Sequence, residues 1–200
     1  MGQPRDADAT RARILEAAVD EFGALGIAGA RIDRIAENAN ANKAMIYRYF
    51  GSKDELFDAV FDAHVVAFVE HVRFDPADLP EYAARLFDSY QDDPRTLRLT
   101  HWYQLERPDG APLRAIVQAH DVKLTAIADA QSVGTLPDDY SPVELLALVR
   151  GIAMAWDNLA PQLGHAVPES RGSRRAAVVD AVERLVSTTE QHHNVDPSAG

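Results

Sequence analysis

The chain contains no cysteine, which excludes disulfides, thiolate metal sites, iron–sulfur clusters and cysteine nucleophiles. No apolar run approaches the roughly 18 residues needed to span a bilayer. The opening Met1-Gly2-Gln3-Pro4-Arg5-Asp6 lacks the apolar stretch of a signal peptide, so a cytoplasmic location is expected. There is no Gly-rich phosphate loop and no nucleophile–base pair. His64 and His71 lie seven residues apart and His192-His193 are adjacent, but neither pair has a third ligand at metal spacing. Neither an enzyme nor a cofactor is expected.

Positive charge is scarce, and its distribution is informative. The net charge of the 200 residues is −11. Residues 1–53 contribute +1 and residues 54–200 contribute −12. Such a bulk charge argues against a protein coated in nucleic acid, yet leaves room for one locally positive face near the N-terminus. With 46% hydrophobic and 26% charged residues, the mixture is that of a globular protein.

Apolar residues recur at helical spacing almost throughout, so the expected class is all-α. Thr10 is a suitable N-cap for a first helix striped by Ile14, Ala18 and Phe22, with Gly23 and Gly26 ending it. Short helices follow at about Ile32–Ala39 and Lys43–Phe50. Ser52 and Glu55 form a capping-box signature opening a long helix to about Val72. Further helices are expected at 78–91, 95–106, 112–131, 142–162 and 170–191, with a frayed tail from Asn194.

The segment Ile32–Phe50 has the spacing of a helix-turn-helix. Ile32, Ile35, Ala36 and Ala39 turn one face inward, and Ile46 and Phe50 anchor the second helix. Lys43, Ala44, Met45, Tyr47, Arg48 and Tyr49 are left facing outward or flanking. A helix of that width enters a major groove about 12 Å across. Asn42, as N-cap, leaves the helix N-terminus free to approach a phosphate. Spacing alone fits equally a satellite hairpin whose charged face is merely wet.

The surroundings add to this. The stretch Thr10-Arg-Ala-Arg-Ile-Leu-Glu-Ala-Ala-Val-Asp-Glu-Phe-Gly-Ala-Leu-Gly26, the pair Ile35-Ala36, and Ile46-Tyr-Arg-Tyr-Phe-Gly-Ser-Lys-Asp-Glu-Leu56 resemble the DNA-binding domain of TetR-family transcriptional regulators. The resemblance implies a three-helix DNA-binding head and a larger helical C-terminal domain. It also implies a homodimer on a palindromic operator, and usually repression relieved by a small molecule. The implied division is an arm at 1–9, a DNA-binding domain at 10–53, a regulatory and dimerisation domain at 54–193, and a disordered tail at 194–200. Tyr47 and Lys53 match positions that touch phosphate. Lys43, Ala44, Met45, Arg48 and Tyr49 match groove-facing positions.

There are departures from the family pattern. Ala30-Arg31 stands where a capping Thr or Ser is common, with Arg31 a substitute for the lost phosphate contact. Asn40 replaces the usual turn glycine and tolerates the left-handed conformation. Met45 replaces a small Thr or Ser and suits a thymine methyl. Arg5, Arg11 and Arg13 are candidates to reach a minor groove or the backbone, although a disordered tail interspersed with Asp6 and Asp8 accounts for them as well.

For an effector pocket the candidates are Phe61, Phe68, Phe87, His101, Trp102, Tyr103, Gln104, His120 and Asn158. His120, in the stripe Leu113, Ile116, Val117, Leu124, Ile127, fits a core position as well as a ligand contact, and Asn158 fits a cap. For the dimer interface they are Leu145, Leu148, Ile152, Val178, Val182 and Leu185. A core helix accounts for the first three equally well. The rival to a DNA-binding regulator is an all-α small-molecule-binding protein that does not bind DNA.

Overall fold

A computed structural model describes residues 4–107 and 114–187, and every regular element within them is helical. These are α1 (Pro4–Gly29), α2 (Ile32–Asn38), α3 (Lys43–Phe50), α4 (Lys53–His71), α5 (Leu79–Asp92), α6 (Arg95–Glu106), α7 (Arg114–Ser132), α8 (Pro142–Ala153) and α9 (Arg171–Val186), with a 3₁₀ turn at Pro161–Ala166. The chain packs as two compact units. Among the described residues, the first comprises residues 4–73, 85–107 and 114–122, and the second residues 74–84 and 123–187. The tail from Asn194, residues 1–3, and residues 112, 113 and 188–191 of the expected helices lie outside the described residues.

The first unit is organised by the apolar stripe of α1. Ile14, Ala18 and Phe22 are fully buried, together with Ile35 of α2, Ile46 of α3, Leu56, Phe57 and Val60 of α4, and Leu99 of α6. Burying each large side chain contributes about 1.5–3 kcal/mol. The Phe22 and Phe57 rings meet edge to face at 5.2 Å.

Two expectations for α1 are corrected. Thr10 is not its N-cap: the helix begins at Pro4, and the buried Thr10 hydroxyl accepts a hydrogen bond from the Arg13 guanidinium at 3.0 Å. Residues 4–9, expected as an arm, belong to the same helix. Gly23 does not end the helix either, because it lies buried inside it. The break comes at Gly26 (φ 64°, ψ −174°), after which one more turn runs to Gly29.

α6 acts as a splint along α1 and α4. At its start, Arg95 bonds Asp93 (2.8 Å), Glu16 (2.7 Å) and Asp20 (3.0 Å), the last two on α1. At its end, Arg107 bonds Asp54 (3.0 Å) and Asp58 (3.2 Å) on α4. Between them Trp102 lies so close to Gly26 that a Cβ there would sit 2.6 Å from the indole. The division expected after Lys53 is therefore not a break in packing, since α4 and α6 share one core with α1–α3.

In the second unit α8 and α9 pack together. Their buried residues are Leu145, Leu146, Val149 and Ala153 on α8, and Val178 and Val182 on α9. Arg175 of α9 bonds Glu81 at 3.0 Å. The helix expected over 142–162 stops at Ala153. Residues 154–158 form a turn, in which the Trp156 indole N–H donates to the Arg174 carbonyl at 3.2 Å. Pro161, whose ring disfavours a helical residue before it, then opens the 3₁₀ turn.

Gly26→Ala adds a Cβ both in a backbone conformation essentially reserved for glycine, worth about 1–3 kcal/mol of strain, and against Trp102, where overpacking costs about 1–3 kcal/mol. Urea denaturation followed by circular dichroism is expected to show a loss of about 2–6 kcal/mol. A loss below about 0.5 kcal/mol, the size of an ordinary surface substitution, would contradict the close approach of α6 to α1.

Candidate nucleic-acid interface

The two short helices α2 and α3 are joined by a turn whose geometry follows from its residues. The Asn40 N–H donates to the Glu37 carbonyl at 3.1 Å, and the Ala41 N–H to the Ala36 carbonyl at 2.9 Å. This is a Schellman motif, which requires a left-handed residue at its centre. Asn40 supplies it with φ 49° and is the one non-glycine residue at positive φ among the described residues. Asn fills this role because its short polar side chain tolerates the conformation. Two residues later the Asn42 side chain caps α3, its Oδ1 accepting the Met45 N–H at 2.9 Å.

α3 is amphipathic at close quarters. Ile46 and Phe50 are buried, while Lys43, Ala44, Tyr47 and Arg48 are exposed on the opposite side, and Met45 and Tyr49 are half-buried at the edges. Tyr47 is 48% exposed. The Arg48 guanidinium lies 5.3 Å from the Tyr49 ring centre, and Lys43 pairs with Asp33 of α2. Gly51 (φ 82°) then reverses the chain. Ser52 caps α4 by accepting the Glu55 N–H at 3.1 Å, and the neighbouring Lys53 ammonium donates to the Ala30 carbonyl at 3.3 Å.

The pair is oriented by one buried carboxylate. Glu21 of α1 accepts the backbone N–H of Arg31 at 2.8 Å and the Arg34 guanidinium at 2.7–3.1 Å. Burial alone would raise the Glu21 pKa. The hydrogen bonds from the Arg34 side chain and the Arg31 N–H outweigh it, and the carboxyl is held below its ordinary range. Arg31 is the N-cap of α2 and makes no side-chain cap, so Glu21 does from a neighbouring helix part of what a capping hydroxyl would do locally.

The basic residues of α1 are corrected on one point. Arg13 donates to the Ala39 carbonyl at 3.2 Å, and the Arg11 guanidinium lies 5.3 Å over the Phe50 ring. Both brace the helix-turn-helix rather than extend from it. The Arg5 side chain lies outside the described residues.

The candidate pocket residues are largely spent on packing. Phe61 stacks on Tyr103 at 3.9 Å and Phe68 on Tyr90 at 5.1 Å; Phe87 is fully buried, and Trp102 covers Gly26. The His120 ring nitrogen Nδ1 pairs with the Ile116 carbonyl one turn back, at 2.8 Å. His101, Gln104 and Asn158 are exposed, so the structure does not gather them with these aromatics. Of the candidate interface residues, Leu145, Val178 and Val182 are buried within the subunit, 0–2% exposed, and offer no surface. Leu148 is exposed, and Ile152 and Leu185 are half-buried. Lys123 was missed. It replaces an apolar residue at a core-facing position of α7, in register with Ile127 and Ala130 at i+4 and i+7. Helical spacing alone carries the apolar stripe through Leu124 instead.

A capped recognition helix with a free polar face, set on a short partner helix by a tight turn, is the head of a helix-turn-helix DNA-binding regulator. Residues 14–60 match the family described as bacterial regulatory proteins, tetR family, and residues 78–184 match the tetracyclin repressor-like C-terminal domain. The HTH-type transcriptional repressor SCO4008 of Streptomyces coelicolor is 43% identical over 162 residues, covering 80% of this chain and 83% of that protein. The HTH-type transcriptional regulator RutR of Escherichia coli K12 is 34% identical over 176 residues, covering 80% and 79%. The crystal structure of SCO4942 from Streptomyces coelicolor, described as a transcriptional regulator, superposes with a TM-score of 0.78 at 43% identity, covering 88% of this chain and 97% of that one. The chain belongs to the TetR family. It is a DNA-binding transcriptional regulator, and the reading as an all-α binder without DNA activity is not favoured.

The Glu21 interaction has a signed pH dependence. Its folded-state pKa lies below the unfolded one, so its stabilisation is present above the unfolded value and is lost as pH falls through the folded value. Glu21→Gln is expected to cost about 1–3 kcal/mol at neutral pH, by leaving Arg34 with a weaker partner. The gap between variant and wild type, measured by denaturation from neutral pH downward, should begin to narrow once the unfolded-state carboxyl range is passed and close only as pH falls through the lower folded-state value. A gap that stays constant with pH would contradict the assignment.

Proposed function

We propose that the protein is a homodimeric repressor that reads a palindromic operator through α3 and is released from it by a small-molecule effector. The observation that carries the DNA reading is the exposed face of α3, where Lys43, Ala44, Tyr47 and Arg48 are free of the packing that holds Ile46 and Phe50. On this reading Lys43, Ala44, Met45, Arg48 and Tyr49 face base edges, while Arg31, Asn42, Tyr47 and Lys53 contact the backbone. The DNA-reading part is residues 10–53, and residues 54–193 regulate and dimerise. The relative named a repressor supports the sign of regulation.

A second copy is the occupant we assign to the outer face of α8. Val143 (59% exposed), Ala147, Leu148 (39%) and Gly151 form an apolar strip along one side of that helix, with half-buried Ile152 beside it. Leu185 of α9 is half-buried as well. An isologous contact through α8 and α9 would bury this strip twice over. Two recognition helices then meet successive major grooves about 34 Å apart, or more if the DNA bends.

The test begins with salt. A dimer making about 6–10 phosphate contacts should lose about 10³–10⁵ in operator affinity between about 50 and 200 mM salt. Arg48→Ala should cost about 1–3 kcal/mol and relax preference at particular base pairs. Lys53→Ala should weaken all sequences alike and flatten the salt slope. Binding to duplexes selected from a random pool measures all three, and affinity insensitive to salt would refute the reading.

For the dimer, Leu148→Glu is expected to give folded monomers by light scattering and circular dichroism. Leu145→Glu, by contrast, should unfold the second unit. A folded Leu148→Glu dimer would refute the interface.

A further inference from the structure

Lys123 is the one buried charged side chain of the second unit among the described residues, 9% exposed at a position that faces the core of α7. Its surroundings come from three further parts of the same unit. The Tyr82 hydroxyl of α5 receives a hydrogen bond from the ammonium at 3.0 Å. The rings of Tyr82 and of Phe74, just before α5, have their centres 5.1 and 5.7 Å from Nζ and stand perpendicular to each other. From α8 comes the charge of Arg150, of the same sign. No carboxylate lies within ion-pair distance of Lys123 among the described residues, and two of its three N–H groups have no protein acceptor there.

A buried ammonium without a counter-charge is strongly disfavoured, and two ring faces and one hydroxyl compensate only in part. Had α5 only needed fastening to α7, a methionine would pack the same volume without that penalty. A largely buried cation, beside a hydroxyl and two aromatic rings and with no carboxylate in ion-pair reach among the described residues, is instead suited to receiving an anion. We infer that Lys123 is the anchoring cation of a binding site for a small organic carboxylate with an apolar body. This rests on the reading of the C-terminal part as the effector domain and names the chemistry of the effector. Burial, and secondarily Arg150, push the Lys123 pKa down to about 8. An anion arriving there holds the proton on, so its binding weakens once the pH exceeds that value.

The experiment uses the full-length protein with octanoate and phenylacetate, each beside its neutral primary amide, in calorimetric titrations. The carboxylates are expected to bind at least about tenfold more tightly than their amides. That preference should vanish in Lys123→Met, whose melting temperature should equal or exceed that of wild type. In wild type alone, carboxylate affinity should fall between about pH 7 and pH 9.5 while amide affinity stays level, a readout that needs no variant to fold. Acids and amides binding alike, acid affinity level across that range, or no acid binding tighter than about 1 mM would each overturn the inference. Titration of operator DNA with the same compounds separates it from the function it rests on. Acids that bind through Lys123 without changing DNA affinity uphold the site and refute its effector role. Amides that release DNA as well as acids do uphold the effector role and refute the site.

Discussion

The arrangement of the reading head depends on one carboxylate. Glu21 reaches from the middle of α1 to the start of α2, where no local side chain serves as a cap, and ties down both the Arg31 N–H and the Arg34 guanidinium. Through it the direction of α2 is fixed to that of α1. The Schellman turn at Asn40 then fixes α3 to α2, and Arg13 closes the loop by bonding the Ala39 carbonyl. The side is closed rather than open because Glu21 is buried. An exposed pair of the same geometry would contribute only about 0–1 kcal/mol and hold nothing in place.

The same logic explains why the head is not a free-standing module. Three helices with about fifty residues bury too little surface to be secure alone. The chain supplements them with α4 and with α6, whose arginines clamp both ends and whose Trp102 fills the notch at Gly26. Most of these ion pairs are partly exposed, so each is weak. Their value lies in registering α6 along α1, and the Leu99, Phe57 and Phe22 side chains supply the energy.

Much of this was legible in the sequence where local chemistry decides. The helix-turn-helix boundaries, the Asn42 and Ser52 caps, the left-handed Asn40, and the inward Ile46 and Phe50 all follow from residue type and spacing within a few positions. What failed was decided at longer range. Thr10 looked like a cap because Thr favours that place, but no local rule says that α1 continues upstream or that Arg13 takes the hydroxyl. Trp102 and Tyr103 looked like pocket walls because they are amphipathic. Nothing near them announces that Gly26 and Phe61 wait across the core. Lys123 was passed over because helical spacing accepts position 124 as readily as 123, and only the packed structure shows which one turns inward.

The division of labour within α3 has an evolutionary consequence. Ile46 and Phe50 carry the helix's packing, while Lys43, Ala44, Tyr47 and Arg48 carry almost none. Substitutions at the second set leave stability nearly unchanged, since exposed positions away from caps and cores usually shift it by less than about 0.5 kcal/mol. The stability threshold that purges most mutations therefore does not act on them. On the proposed reading of α3, a duplicated copy of this gene is free to acquire a new target sequence one residue at a time, with every intermediate still folded.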